Sequence, residues 1–227
     1  PSRGLGDVYK RQLHATDIPS LIGPTLAQGE REVRAVAINA LFGAFGRGGT
    51  SGPLGNDTDA SLIAGLRDWA DVILVGSGTV TAEDYGPAAT PMAVLSTSLK
   101  LDTGLGIFNS PRLLILTPKH SLVDASFEPH RSTLTAKGAE LISTGSGSIT
   151  EAVEALHDLG FNRILCEGGP SVYAAAISAD LIDVLHLTVD PSTSASDDTH
   201  GLQITGDDVR RFQLEHVGVD DDSMMFC

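Results

Sequence analysis

Residues 163–171 (RILCEGGPS) constrain the fold of this chain more than any other stretch. Residues 164–166 form a short apolar run, which is typical of a parallel strand covered on both faces. The run leads through two glycines to Pro170, and residues 172–177 then favour a helix. Proline suits the first helical position because its missing N–H is not needed there. The stretch therefore predicts a strand, a tight turn and the beginning of a helix.

The same turn is a candidate phosphate site. Gly168 and Gly169 have no Cβ that would keep a ligand away from the backbone. Free N–H groups beyond Pro170, together with the positive end of the helix dipole, favour a phosphate or pyrophosphate. Glu167, at the carboxyl end of the strand, is expected to face the same crevice. An ordinary strand-to-helix turn would also explain a single Gly-Gly pair, so a second site of this kind is needed.

A second glycine turn follows another predicted strand. Residues 71–75 (DVILV) form an apolar run that leads directly into residues 76–79 (GSGT). Open α/β sheets bind ligands at the carboxyl ends of their parallel strands. Two glycine turns at such ends therefore favour a nucleotide-type ligand.

The remaining pattern predicts an α/β fold with three layers, α/β/α, and a mainly parallel sheet. The predicted strands are residues 33–41, 71–75, 92–95, 113–116, 139–142, 164–166 and 183–189. Segments 212–217 and 223–226 predict a C-terminal antiparallel hairpin, which makes the sheet mixed. His186 lies within a strand pattern, where a histidine with a satisfied hydrogen bond is expected.

Two of the predicted helices have clear start signals. Asp57 or Thr58 can cap the first, and its apolar stripe leaves Arg67 on another face. Ser148 and Glu151 form a capping box at the beginning of the second. Helices thus separate several of the strands, as crossover connections in a parallel sheet require.

The ends and the loops complete the expected organisation. Residues 1–12 lack periodicity and are interpreted as a non-native or disordered extension, which leaves residues 13–227 as a single domain. Residues 13–28 are expected to lie over the surface. Residues 43–55 contain six glycines, and their place between two firm elements predicts a loop that wraps a ligand.

Composition excludes several classes of function. A net charge of −14 argues against nucleic acid and anionic membranes as partners, because both require a basic face. No apolar run has the roughly 18 residues of a membrane span. Two cysteines and seven scattered histidines predict neither a disulfide framework nor a metal site, which fits a cytoplasmic protein. Neither the dinucleotide fingerprint G-x-G-x-x-G nor a G-x-S-x-G serine motif is present.

Three motifs together carry a resemblance to a known family. Residues 75–80 (VGSGTV), 83–87 (EDYGP) and 166–171 (CEGGPS), in this order, resemble the reductase domain of the bifunctional riboflavin-biosynthesis deaminase/reductase. The similarity covers essentially all of residues 32–227 and is strongest to stand-alone pyrimidine reductases. It implies a dihydrofolate-reductase-like fold, NADPH as hydride donor and a homodimer.

The resemblance also implies a reaction and a set of site residues. The family reduces the ribosylamino group of a phosphorylated pyrimidine to a ribitylamino group, on either a 5-aminouracil or a 2,5-diaminopyrimidinone ring. The implied substrate contacts are Ser51, Arg67, Glu83 and Glu167. The implied cofactor contacts are Gly76, Gly78, Thr79, Ser96, Gly168, Gly169, Pro170 and Ser171.

Two of these residues have chemistry that suits their implied roles. Arg67 can offer a bidentate fork to a substrate phosphate, and a solvated helix arginine is the alternative. Glu167 is the implied catalytic residue, which would position substrate hydroxyls or the proton that accompanies hydride transfer. Donors for the 2′-phosphate of NADPH are available in the loops after two neighbouring strands: Ser96, Thr97, Ser98, Lys100, Thr117 and Lys119.

The chain also departs from the family pattern. The corresponding strand of the family usually ends in Ser-x-Asp-Gly, whereas this chain has Phe42 in place of the acid. An arginine that follows the first turn in the full-length enzymes is missing from residues 86–90. Two alternatives therefore stay open beside the pyrimidine reductase, namely a catalytically silent nucleotide-binding protein and a reductase of dihydropterins.

Overall fold

The structure is a computed structural model that describes residues 12–14, 17–25, 27, 29–193, 202, 211–222 and 225–226. Ten strands form one sheet within this part of the chain. They are β1 (Gln12–His14), β2 (Glu32–Ala40), β3 (Val72–Gly76), β4 (Met92–Leu95), β5 (Leu113–Thr117), β6 (Glu140–Ser143), β7 (Arg163–Gly168), β8 (Val184–Asp190), β9 (Val217–Val219) and β10 (Met225–Phe226). Their order across the sheet is β1-β9-β10-β8-β2-β7-β3-β4-β5-β6.

The sheet is parallel from β8 to β6, and β10 runs antiparallel to both of its neighbours. Strand β7 lies between β2 and β3 although it follows them by about half of the chain. This insertion brings the carboxyl ends of β2, β7 and β3 side by side, where a doubly covered sheet opens a crevice.

Helices cover both faces of the sheet and give the predicted three layers. The described helices are α1 (Ile18–Ile22), α2 (Asp57–Trp69), α3 (Ser77–Ala82), α4 (Lys119–Val123), α5 (Glu128–Ala136), α6 (Ile149–Asp158) and α7 (Pro170–Ser178). Helices α1, α2, α3 and α5 pack on one face, and α6 and α7 pack on the other. No helix in the described ranges has the length and hydropathy that crossing a membrane would require.

Strand β3 shows why the central strands are apolar throughout. Val72 and Leu74 contribute to the core beneath α6, whereas Ile73 and Val75 face the opposite helical layer. All four side chains are buried, because helices cover both faces of the sheet at this strand. The predicted α/β class with a mainly parallel sheet is confirmed.

Most predicted element boundaries agree with the structure to within one or two residues. The capping box of Ser148 and Glu151 is present at the beginning of α6. The first predicted cap is wrong, because the Asn56 side chain accepts from the N–H groups of Thr58 and Asp59, and Asp57 is already helical. The hairpin pairs Met225 with Val219, but residues 211–216 form no strand.

Residues 13–28, before β2, were expected to lie over the surface, but helix α1 within them packs into the core. Leu21 of α1 is only 1% exposed and packs in the cluster that α2 forms on the sheet. Gly65 permits this close approach, since a Cβ there would lie 2.5 Å from Ile22 Cδ1. Residues 1–11 lie outside the described part of the chain, and Gln12 begins β1.

His186 also differs from the expectation. It is buried in β8, and its Nε2 has no hydrogen-bond partner among the described residues. Burial lowers the pKa of His186 to about 4, and the nearby positive charge of Arg34 acts in the same direction. The imidazole is therefore neutral at physiological pH.

Candidate active site

A cavity of about 590 Å³ lies at the carboxyl ends of β2, β3 and β7. The glycine-rich loop after β2 and one face of α2 close its sides. It collects ten of the twelve residues that the sequence assigned to a ligand: Ser51, Arg67, Gly76, Gly78, Thr79, Glu83, Glu167, Gly169, Pro170 and Ser171. Ser96 and Gly168 are not part of its lining.

Three side chains in the cavity wall, from α2, β7 and the loop after α3, form an ionic cluster. Arg67 of α2 donates from Nε and Nη2 to the two carboxyl oxygens of Glu167, at 2.6 and 2.7 Å. The hydroxyl of Tyr85 donates to Glu167 Oε2 at 2.7 Å, and the guanidinium lies over the Tyr85 ring. Glu167 is the acceptor in all three bonds.

Burial and pairing set the ionisation of the partners of Glu167. The side chain of Glu167 is 4% exposed, and that of Arg67 is 32% exposed. The hydrogen bonds to Glu167 raise the pKa of Arg67, so the guanidinium stays charged. Burial, followed by the negative charge of Glu167, raises the pKa of Tyr85 well above its ordinary value. The phenol therefore keeps its proton and remains a donor.

Two further predicted contacts bind to each other. Glu83, which ends α3, accepts the backbone N–H of Ser51 at 2.7 Å. This bond ties the glycine-rich loop to the end of the first glycine turn. Arg47 of the same loop donates to Ser192 beyond β8, so a second contact holds the loop in place.

The two glycines of the second turn are required for a reason that differs from the predicted one. Gly168 has φ +70°, and a Cβ there would lie 2.1 Å from the ring of Tyr173. A Cβ on Gly169 would lie 2.2 Å from the hydroxyl oxygen of Thr79, which accepts the Gly169 N–H. Both positions exclude side chains because of internal packing, whether or not a ligand is bound.

Backbone N–H groups that are open to the cavity are found instead at Gly78 and Ser171. A Cβ on Gly78 would meet no atom within 4 Å. The N–H groups of Gly78 and Ser171 find no acceptor among the described residues. Ser171 lies in the first turn of the nine-residue helix α7, where the helix dipole favours an anion.

Comparison with known proteins decides the family. Residues 43–222 match the RibD C-terminal domain. The chain belongs to this family. The match confirms the resemblance carried by the glycine turns, and it identifies the chain as a pyrimidine reductase-like oxidoreductase domain.

Individual relatives agree with the family assignment. The chain is 24% identical over 182 residues to the 2,5-diamino-6-ribosylamino-4(3H)-pyrimidinone 5′-phosphate reductase of Methanothermobacter thermautotrophicus, covering 74% of this chain and 82% of that protein. A pyrimidine reductase-like protein of Corynebacterium diphtheriae superimposes with a TM-score of 0.80 at 29% identity, over 94% of this chain and 97% of that one.

A more distant structure shares the fold. The bifunctional deaminase and 5-amino-6-(5-phosphoribosylamino)uracil reductase of Thermotoga maritima superimposes with a TM-score of 0.65 at 18% identity. The match covers 87% of this chain and 55% of that one. The reductase-type fold predicted from the sequence is thus observed in both stand-alone and bifunctional proteins.

Within this RibD C-terminal domain, Ser96 stands apart from the other predicted contacts. It is buried after β4, and its Oγ accepts the N–H of Leu99 at 3.1 Å. Leu99 has φ +57°, so this bond supports a strained turn. The side chain of Ser96 thus has a local structural role in the described molecule.

Phe42, which replaces the acid of the family pattern, does not fill the cavity. The residue is 82% exposed, and it is absent from the cavity lining. The substitution removes a carboxylate at the end of β2 but creates no steric block. The pocket of this family member is therefore open.

Tyr85 and Asp59 also line the cavity, although neither was assigned to the site from the sequence. Tyr85 lies within the matched motif at residues 83–87 and received no role, because its partner Glu167 follows 82 residues later. Asp59 lies in the first turn of α2, where the helix dipole alone explains an acidic residue. Its spacing of eight residues from Arg67 was the available signal, since the two then share one face of the helix.

Proposed function

We propose that this domain is an NADPH-dependent reductase that converts the ribosylamino group of a phosphorylated pyrimidine into a ribitylamino group. The observation that supports this function best is the convergence of both glycine turns and all four implied substrate contacts on one cavity. These residues come from four separate segments of the chain, so chance does not readily explain why they surround one cavity.

The chain's own groups suit the cofactor. Ser171 and Gly78 offer free N–H groups to the pyrophosphate, and the open space beside Gly78 lets the backbone be approached closely. NADPH, when bound, supplies the hydride. For the 2′-phosphate, exposed Lys100 and Lys119 are the charged donors after β4 and β5, whereas Thr117 is buried.

Glu167 positions the substrate in this proposal. Its carboxyl oxygens already act as acceptors for Arg67 and Tyr85, so we assign it to accept from sugar hydroxyls as well. Arg67 and Tyr85 fix its orientation. Arg67 Nη1 has no acceptor among the described residues, which leaves one edge of the guanidinium for a substrate phosphate.

The charge of the cavity restricts where that phosphate can lie. Its charged lining residues are Asp59, Glu83, Asp84, Glu167 and one cation, Arg67. A phosphate deep among these carboxylates would be repelled. We therefore place it at the solvent-facing edge of Arg67. If the protein turns over no pyrimidine phosphate, the same acidic lining supports the alternative of a catalytically silent nucleotide-binding protein.

The cofactor assignment is tested with Gly78→Val. The new side chain meets no protein atom at its Cβ, so it should obstruct the pyrophosphate without disturbing the fold. Gly52→Val is the matched control, because Gly52 is equally open and lies outside the cavity lining. We expect the parent and Gly52→Val to bind NADPH alike and more tightly than NADH, and Gly78→Val to bind NADPH at least about tenfold more weakly.

Fluorescence titration with NADPH and NADH measures these affinities. Equal NADPH affinity of Gly78→Val and the parent would contradict the placement of the cofactor. Equal affinity of the parent for NADH and NADPH would contradict the 2′-phosphate assignment. A homodimer and a cytoplasmic location are further parts of the proposal, and light scattering of the purified protein tests the first.

A further inference from the structure

Asp59 is a buried carboxyl group in the cavity wall that nothing above explains. The residue is 5% exposed, and its Oδ1 accepts the hydroxyl of Thr188 at 2.7 Å. Oδ2 accepts no hydrogen bond from a described residue, and no described cation pairs with the group. Oδ2 is not one of the fully enclosed polar atoms that lack a partner in the described part of the chain, so it is reached from the cavity that Asp59 lines and can accept from a ligand.

The position of Asp59 along α2 indicates which part of a ligand it meets. Asp59, Ile63 and Arg67 follow each other at intervals of four residues and all line the cavity. Eight residues of helix separate Asp59 from Arg67 by about 12 Å. Ile63 lies between them along the helix, and Val36 and Ile38 of β2 add apolar side chains to the same lining. The cavity thus offers a carboxyl, an apolar strip and then the cluster of Arg67 and Glu167.

This arrangement suits a flat heterocycle whose polar chain points toward Arg67. On a pyrimidine with its ribosylamino group at C6, the edge opposite the chain carries N3–H and the substituent at C2. A carboxylate is an acceptor only, so it pairs well with two adjacent donors and poorly with a carbonyl. A 2-amino group supplies the second donor, whereas the O2 of a uracil ring would face the carboxylate oxygen.

We propose that Asp59 is the specificity-determining residue of this reductase, and that it selects a 2-aminopyrimidin-4(3H)-one ring over a uracil ring. The proposal rests on the function proposed above. Burial raises the pKa of Asp59, and pairing with two N–H donors stabilises the ionised form that binding needs.

The choice of ring fixes the place of the reaction in a sequence. A reductase that accepts the 2-amino ring releases a product that still carries this amino group. A uracil-type product then requires a later hydrolytic deamination at C2, in which water enters and ammonia leaves. The reduction therefore precedes the deamination.

The test compares two substrates with each of three proteins. The substrates are the 5′-phosphates of 2,5-diamino-6-ribosylaminopyrimidinone and of 5-amino-6-ribosylaminouracil, and the proteins are the parent, Asp59→Asn and Asp57→Asn. Asp57 is the matched control, because it is an exposed acid in the same helical turn. Both kcat/KM for NADPH oxidation and the dissociation constant from calorimetry are measured for each combination.

We expect the parent and Asp57→Asn to prefer the diamino substrate by at least about tenfold in kcat/KM. Asp59→Asn should lose this preference through a higher KM for the diamino substrate, because its amide N–H faces the 2-amino group and complements O2 of the uracil ring instead. A parent that prefers the uracil substrate, or an unchanged ratio in Asp59→Asn, overturns the proposal.

The dissociation constants distinguish a failure of this proposal from a failure of the proposed function. If the diamino compound binds without turnover and Asp59→Asn weakens its binding, Asp59 recognises the ring but the reductase function fails. If neither ring binds, both proposals fail. A dihydropterin presents the same 2-amino-4-oxo edge, so its reduction in place of the pyrimidines, with loss in Asp59→Asn, would overturn the pyrimidine assignment alone.

Discussion

The ion pair between Arg67 and Glu167 stabilises both side chains in the cavity wall. Breaking it should expose the cost of a buried carboxylate that keeps only the Tyr85 hydroxyl. We expect Arg67→Ala to lower the free energy of unfolding by about 1–3 kcal/mol. Arg112→Ala removes a more exposed bidentate pair with Glu140 and should cost less than about 1 kcal/mol. Urea unfolding of the two variants checks the order, and a larger loss in Arg112→Ala would contradict it.

Asp59→Asn should raise the stability of the protein although it weakens ring recognition, whereas Arg67→Ala lowers stability. The folded-state pKa of Asp59 is raised by burial, so the stability it contributes is complete below the unfolded pKa of about 3.9 and is lost as pH rises through the folded value. Asp59→Asn does not titrate and should melt at a higher temperature than the parent, by a margin that grows as pH rises above about 3.9. Thermal unfolding across this range measures the margin, and a margin that shrinks would contradict burial as the cause of the shift.

The sequence predicted single residues well where the chemistry is local and poorly where it depends on partners. Glu167 and Arg67 were both assigned to the site, but their ion pair joins residues 100 positions apart and could not be predicted from spacing. Likewise, the glycine pattern marked positions 168 and 169 correctly, yet the groups that exclude a Cβ there belong to Tyr173 and Thr79.

At the scale of elements, the turn from β7 into α7 is the least tolerant of change. Tyr173 is buried and donates to the carbonyl of Val36 at 2.5 Å, so its ring cannot move away from a new Cβ at Gly168. We expect Gly168→Ala to cost at least about 3 kcal/mol, from the collision and from the positive φ. Gly78→Ala, in open space within α3, should leave stability unchanged or raise it by up to about 1 kcal/mol. Denaturant titration compares the two, and equal stabilities would contradict this account of the turn.

Elements were predictable in proportion to their length and burial. Strands covered on both faces appear as apolar runs, so β3, β4, β5 and β7 were found almost to the residue. Short elements such as α4 and β1 have too few residues for a periodic signal, and they were missed. Side-chain caps compete at neighbouring positions, which explains why Asn56 rather than Asp57 caps α2.

The whole molecule determines the site, because no single segment contains it. The insertion of β7 between β2 and β3 brings the second glycine turn beside the first and places Glu167 against α2. The sequence indicated both turns but not this strand order, since parallel strands can be ordered in several ways with the same pattern. The acidic balance of the cavity likewise follows only from the assembled fold.

The central claim, that this assembled cavity reduces a ribosylaminopyrimidine phosphate with NADPH, is tested most directly by turnover. The parent protein is mixed with NADPH and each pyrimidine substrate, and nicotinamide absorbance is followed while the ribitylamino product is identified by mass spectrometry. We predict oxidation of NADPH in step with product formation, with a lower kcat in Glu167→Gln than in the parent. Tight NADPH binding without oxidation by any of the pyrimidines would contradict the claim and leave a silent nucleotide-binding protein.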